Sequence, residues 1–361
     1  MPDEEMTDVE DRWSRLGEWL AARVGARGPV RVTDVSQPSS IGYSAETSIF
    51  RASYDGDAGP TTRRLVLRSE SADPPVYPPQ VSGLEIEVEW QRRVMEAIQS
   101  ATPSVPLAPV VAADRDPGVV GAPFFVMEFV DGVVPTVDPP YTVSGFFVEA
   151  RADQRHAMIA DGMRVLAAIH DVDWGGAGLG WLAPTGVPPT LARQLELWRA
   201  WGIQELRGRR HPGMDAAFDI LKRHLPAGSE PVLCWGDPRP GNMIWRDFRC
   251  VCVTDFEAAA IAPPELDLGW WLMFDRASHE VVGAPRLEGE PGREEQRDLY
   301  EASSGRVVGD TRLYEMFAAL RYTVIVVRVM NRAVARGLMP EDHNIWLENP
   351  AATCLDQLLE D

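Results

Sequence analysis

The chain has 361 residues and 45% hydrophobic content, enough for a substantial core and long enough for two lobes or domains. Its formal net charge of −19, from 54 acidic against 35 basic residues, leaves no basic face for neutralising phosphates, so nucleic acid is excluded as a partner. No run reaches the ~18–20 apolar residues of a membrane span, and the acidic opening Met1–Trp13 is not a signal peptide, so we expect a cytoplasmic protein with no membrane partner. The four cysteines, Cys234, Cys250, Cys252 and Cys354, lie in apolar contexts without a C-x-x-C pair and read as reduced, buried thiols. The acidity would steer a cationic substrate, and it would equally serve solubility alone.

Trp13, Leu16, Leu20 and Val24 recur at intervals of three and four, which predicts a helix over 12–24 that Pro29 ends. Strands are predicted at 30–35 and 47–54, joined by a polar loop, 36–44, with Gly42 and Ser44 at its tip. Such a loop can cover a nucleotide's phosphates with backbone N–H groups, although an ordinary hairpin gives the same pattern. The run Arg64–Arg68 is a further strand, and the Pro-rich segment 71–80 reads as a mobile loop. Ile86, Trp90, Val94 and Ala97 mark a helix over 84–99. A Pro-punctuated segment, 103–109, leads into a strand at 110–113, and a buried strand at 124–127 runs into Glu128-Phe129-Val130.

The chain then turns helical, over 155–170, 191–206 and 214–225, with Trp174, Trp181, Trp198 and Trp201 crowded in between as core residues or the wall of a pocket. After the stretch 232–257, helices follow at 264–275, 293–303 and 311–336, with a loop at 283–292. No internal repeat or low-complexity tract interrupts the pattern.

Residues 232–257, VLCWGDPRPGNMIWRDFRCVCVTDFE, carry the chemistry. Three short strand-like runs, 232–234, 243–245 and 250–254, would hold Asp237, Asn242 and Asp255 at the tips of neighbouring strands. Phosphoryl transfer needs a carboxylate to orient an attacking hydroxyl and oxygen ligands for Mg²⁺ on the phosphates. The spacing D-x-x-x-x-N followed by Asp255-Phe256-Glu257 suits both tasks.

WGDPRPGN, VTDFE and PPELDLGW, in that order, resemble the aminoglycoside phosphotransferase and choline kinase-like family, which shares its fold with the protein kinases. The nearest resemblance is to actinobacterial members with WGD in place of HGD. It implies an α+β, bilobal, protein-kinase-like fold: a small β-sheet lobe over 1–127, a hinge at 128–132, and a larger, mostly helical lobe over 133–361. ATP and Mg²⁺ would lie in a cleft beneath the hinge.

By the same resemblance, Asp237 is the catalytic base, and Arg239 either contacts the transferred phosphate or is a surface residue. Asn242 and Asp255 would be the Mg²⁺ ligands. Arg68, Gly42, Ser44, Glu128, Phe129 and Val130 would bind the nucleotide. Asp267 would brace the catalytic loop, and His170 would be a packed structural residue. Departures are Trp235 for the family His, Arg68 for a Lys, and Gln91 for the Glu that pairs with that cation. Glu87, one turn earlier, could reach Arg68 instead. The expected activity is transfer of the γ-phosphate of ATP to a small-molecule hydroxyl, with aminoglycoside, macrolide, choline, homoserine and hydroxyacyl acceptors all open. The alternative is a nucleotide-binding protein without turnover. A protein kinase is disfavoured because no activation segment separates Asp255 from Pro263.

Overall fold

The computed structural model describes residues 2–37, 45–84 and 86–360. It divides into two compact units, the first made of residues 1–75, 84–96 and 108–130 and the second of 76–83, 97–107 and 131–361.

The first unit is built on a five-stranded antiparallel sheet of β1 (Arg31–Ser36), β2 (Glu46–Gly56), β3 (Gly59–Ser69), β4 (Val110–Asp114) and β5 (Phe124–Glu128), in the order β1-β2-β3-β5-β4. Ser48, Phe50 and Ala52 are buried at every second position of β2, the period that points alternate side chains to one face. Phe50, Ala52, Leu65, Leu67, Phe124 and Val126 meet Leu16, Trp19 and Leu20 of α1 (Pro2–Ala21) in one core. That helix stops earlier than Pro29 implies. Gly25 takes the left-handed conformation at φ 68°, and the Ala26 N–H donates to Ala21 O at 3.0 Å, closing the last turn as a glycine cap. Residues of α2 (Glu87–Ala101) start under a carboxylate from β3's end: Glu70 accepts from the Glu87 and Val88 N–H groups at 3.1 and 2.9 Å.

The second unit is mostly helical, with α3 (Phe146–Glu149), α4 (Ala152–His170), α5 (Leu191–Leu206), α6 (Pro212–His224), α7 (Glu265–Arg276), α8 (Arg293–Ser304), α9 (Arg312–Ala335) and α10 (Pro350–Glu360). Two small antiparallel pairs sit among them: β6 (Val232–Cys234) with β9 (Ala260–Ala262), and β7 (Met243–Arg246) with β8 (Arg249–Val253). The hub is α9, buried almost all round and packed on α5, α6, α7 and α10. Gly269 lets α7 approach it, since a Cβ there would lie 2.6 Å from the Tyr314 backbone.

Neither β9 nor α10 was expected from the sequence. β9 is only three residues long, with no period to read, and α10 is held by Cys354, Leu355 and Leu358, buried against other helices. A short π-helical turn at Ala277–Val281 extends α7.

Candidate active site

Asp237 follows β6 on a turn that only glycine can make. Gly236 has φ 95°, and a Cβ there would lie 2.1 Å from Ala258 O, so any side chain would collide with backbone. The turn is clamped from behind by Asp267, fully buried on α7. Its Oδ2 accepts the Trp235 N–H at 2.6 Å and its Oδ1 the Gly236 N–H at 3.0 Å. Asp267 is itself held by His170 Nε2 at 3.1 Å, and His170 Nδ1 meets the Tyr300 hydroxyl at 2.7 Å. His170 is thus a buried structural residue, and Asp267 is the loop's brace. The Arg321 guanidinium adds a third tie, donating to Gly236 O at 3.1 Å while lying over the Trp270 ring at 4.4 Å.

Trp235 fills the place where a His was expected, and its indole does a polar task. Nε1 donates to Thr254 O at 2.8 Å and Asp255 O at 3.1 Å, tying the loop to the segment that carries Asp255. Asn242 reaches the same segment through its backbone, since the Thr254 N–H and Oγ1–H both donate to Asn242 O at 3.0 Å. Asn242 and Asp255 therefore share one end of the β7–β8 pair. Asp237 does not sit on a neighbouring strand as expected, because β6 pairs with β9 instead. What joins it to Asn242 is a side-chain bond, Nδ2 to Asp237 Oδ2 at 2.7 Å. Asp255 takes φ 58°, a left-handed conformation that Asp tolerates better than most residues and that costs about 1–2 kcal/mol.

The Asp237 carboxylate, 5% exposed, is surrounded by donors. Trp270 Nε1 gives to Oδ1 at 2.6 Å, the Tyr77 hydroxyl to Oδ2 at 3.3 Å, and Arg239 Nε straddles both oxygens at 3.2 and 3.3 Å. Arg239 is not a free surface residue: besides this ion pair, its guanidinium lies 5.5 Å above the Phe274 ring. The thiol of neighbouring Cys234 is driven well up by burial and stays protonated, giving to Ala262 O, which suits packing and not metal ligation.

The sequence profile of the phosphotransferase enzyme family matches residues 45–300. The chain belongs to that family. A protein of Ralstonia eutropha JMP134 solved as a candidate aminoglycoside phosphotransferase is similar over 96% of both chains, at 26% identity and a TM-score of 0.72. A thermostable aminoglycoside phosphotransferase, solved with AMP-PNP and hygromycin B, covers 96% of this chain and 98% of its own at 16% identity and a TM-score of 0.56, which shows the shared fold. Acyl-CoA dehydrogenase family member 10 of Mus musculus is 26% identical over 211 residues, 58% of this chain but only 18% of that protein. The chain thus spans about a fifth of this curated relative. The fold is the α+β, protein-kinase-like fold of the phosphotransferases.

For a phosphotransferase of this family, the expected nucleotide contacts fall out unevenly. Gly42 and Ser44 lie outside the described residues. Arg68 on β3 donates to Thr47 Oγ1 at 3.1 Å and to Gln91 Oε1 at 3.2 Å, so the residue at the expected helix position is its partner and Glu87 is not. Glu87 Oε1 is buried without a hydrogen-bond partner among the described residues, and the Glu87 backbone N–H goes to Glu70. At the expected hinge, Glu128 pairs its side chain with Arg63, and its N–H goes to Pro109 O at 2.9 Å. The Phe129 N–H goes to Arg64 O at 3.1 Å, with the Arg64 guanidinium 3.6 Å over the Phe129 ring. Val130 is the one of the three whose N–H takes no partner among the described residues.

Asn242 and Asp255 fit a hard divalent cation: with Nδ2 spent on Asp237, the Asn242 Oδ1 has no donor among the described residues, and Asp255, at the same end of the β7–β8 pair, has a carboxylate to offer. Sequence reasoning missed Tyr77, Trp270 and Arg321 around Asp237. Trp270 ends the PPELDLGW motif and was within reach. Tyr77 and Arg321 carry no local signal.

Proposed function

We propose that the chain transfers the γ-phosphate of ATP to a hydroxyl of a small molecule. The observation that carries this reading is Asp237, fixed on a clamped turn, hydrogen-bonded to Asn242, and tied through Trp235 to Asp255. A carboxylate held this rigidly can orient one acceptor O–H and take its proton as the oxygen attacks the γ-phosphorus and the bond to ADP breaks. Arg239, with its Nε kept on Asp237, can offer the rest of its guanidinium to the transferring phosphoryl group. Mg²⁺ held by Asn242 and Asp255 would neutralise charge on the phosphates. Arg68 would meet phosphate oxygens and the Val130 N–H the adenine. The AMP-PNP complex of a relative with this fold supports ATP as donor. The acceptor panel includes hydroxyacyl compounds beside antibiotics, because the curated relatives are named for acyl-CoA chemistry.

General-base positioning is worth about 10²–10⁴-fold in rate. Asp237→Asn should therefore melt like wild type and bind Mg·ATP, while ADP release in a coupled assay across hydroxylated metabolites and antibiotics falls by at least ~10²-fold. Near-wild-type turnover would remove Asp237 from the mechanism. A second reading, nucleotide binding without turnover, draws on Gln91, which offers Arg68 a neutral amide in place of a carboxylate. It predicts Mg·ATP binding with no Asp237-dependent ADP release from any acceptor.

A further inference from the structure

The segment 76–80 is not the mobile loop its prolines suggest. Val76 is buried in the core of the second unit, and its carbonyl accepts from Trp201 Nε1 at 3.4 Å. Gln80 Oε1 accepts from Gln194 Nε2 at 2.7 Å, and Gln80 O accepts from Arg193 at 2.7 Å. Both ends of the strap are thereby fastened to α5. Between them stands Tyr77, stiffened by Pro75 and Pro78 on either side and packed edge-on against Trp198 at 6.4 Å. Its hydroxyl is aimed at Asp237 Oδ2.

A carboxylate offers about four acceptor sites. On Asp237 they are taken by Trp270, Asn242, Arg239 and Tyr77, so an acceptor hydroxyl cannot dock without displacing one of them. Trp270 and Asn242 are 1% and 3% exposed and hold the shortest bonds, 2.6 and 2.7 Å. Arg239 belongs to the loop itself. Among the described residues, Tyr77 is the only hydroxyl on this carboxylate, the same chemical group as an acceptor, and at 3.3 Å it holds on less closely. Burial, with the charge of Asp237 next, drives its phenol well above the usual value, so it remains a neutral donor.

Resting on the kinase reading above, we propose that the Tyr77 hydroxyl occupies the acceptor's place on Asp237. An acceptor must displace it with binding energy drawn from the rest of its own contacts, and Tyr77 thereby selects against water. A water molecule has no further contacts with which to displace the phenol. With Tyr77 gone it could donate to Asp237, attack the γ-phosphorus and release ADP and inorganic phosphate, its proton passing to Asp237.

The test is Mg·ATP hydrolysis without acceptor, in wild type, Tyr77→Phe, Asp237→Asn and the double variant, beside thermal melts. Phe keeps the ring on Trp198, so melting should change little. A hydrogen bond to a charged group is strong enough that its loss should raise Asp237-dependent hydrolysis about tenfold. The rise should vanish in the double variant. Unchanged or reduced hydrolysis in Tyr77→Phe, while the Asp237→Asn loss stands, overturns the role of Tyr77 alone. Hydrolysis and acceptor turnover both indifferent to Asp237 overturn the kinase reading instead.

Discussion

Trp235 and Asp255 show how one substitution in a motif can be absorbed by the residue that replaces it. The indole N–H reaches the backbone carbonyls of Thr254 and Asp255, so the loop carrying Asp237 is tied directly to the segment carrying Asp255. Asp255 is half-buried and takes a left-handed backbone just past the end of β8. If it is a cation ligand, Asp255→Ala should weaken Mg·ATP binding in calorimetry by tenfold or more, on the order of 1.4 kcal/mol, with little effect on ATP binding in the absence of Mg²⁺. Equal affinity for Mg·ATP would take Asp255 out of the cation site.

Three elements converge on one carboxylate. Asp267 on α7 holds the turn after β6 through two backbone N–H groups, and α4 reaches it through His170. Asp267→Asn is nearly isosteric, yet its amide N–H₂ must face a donor that the carboxylate oxygen now accepts. One buried donor is left unpaired, which costs about 1–3 kcal/mol. Chemical denaturation should show a lower midpoint at an unchanged slope. The turn that carries Asp237 should loosen with it, so if Asp237 is the base proposed above, turnover per folded molecule should fall as well. An unchanged midpoint would mean that Arg321 and Gly236's own geometry suffice to hold the turn.

At the scale of the whole molecule, stability should depend on pH through His279. This residue, 3% exposed, sits in the turn that extends α7, with Nε2 on Glu290 at 2.9 Å and Nδ1 on Ala284 O at 3.1 Å. Both ring nitrogens face acceptors, an arrangement that favours the doubly protonated ring. Burial opposes that charge, but the Glu290 hydrogen bond and charge, with Asp275 behind, outweigh it and raise the pKa above the usual 6.5. A raised value in the folded state means the stabilisation is full below the unfolded value and is lost as pH rises through the folded one. Wild type should therefore lose thermal stability relative to His279→Gln as pH rises above about 6.5. Parallel pH profiles for the two would contradict it. Among the described residues no helix is long and apolar enough to cross a membrane.

The sequence by itself determined the family and singled out Asp237, Asn242 and Asp255 as candidates. Glycine and proline punctuation around short apolar runs is local, and so is the spacing of Asp237, Asn242 and Asp255; both can be read without knowing what packs where. Long periodic helices such as α5 were legible for the same reason, each burying a stripe that repeats along its own residues. Only the tertiary structure decided the partners. That Gln91 and not Glu87 meets Arg68 depends on how α2 turns its face to β3. That β6 pairs with β9 depends on backbone hydrogen bonds among residues too few to show a period. The four donors on Asp237 lie 2, 5, 33 and 160 residues away along the chain. Spacing exposes the first two, a motif the third, and only folding brings in Tyr77, because a contact at that separation is set by the packing of the strap on α5 and leaves no trace in the residues around it.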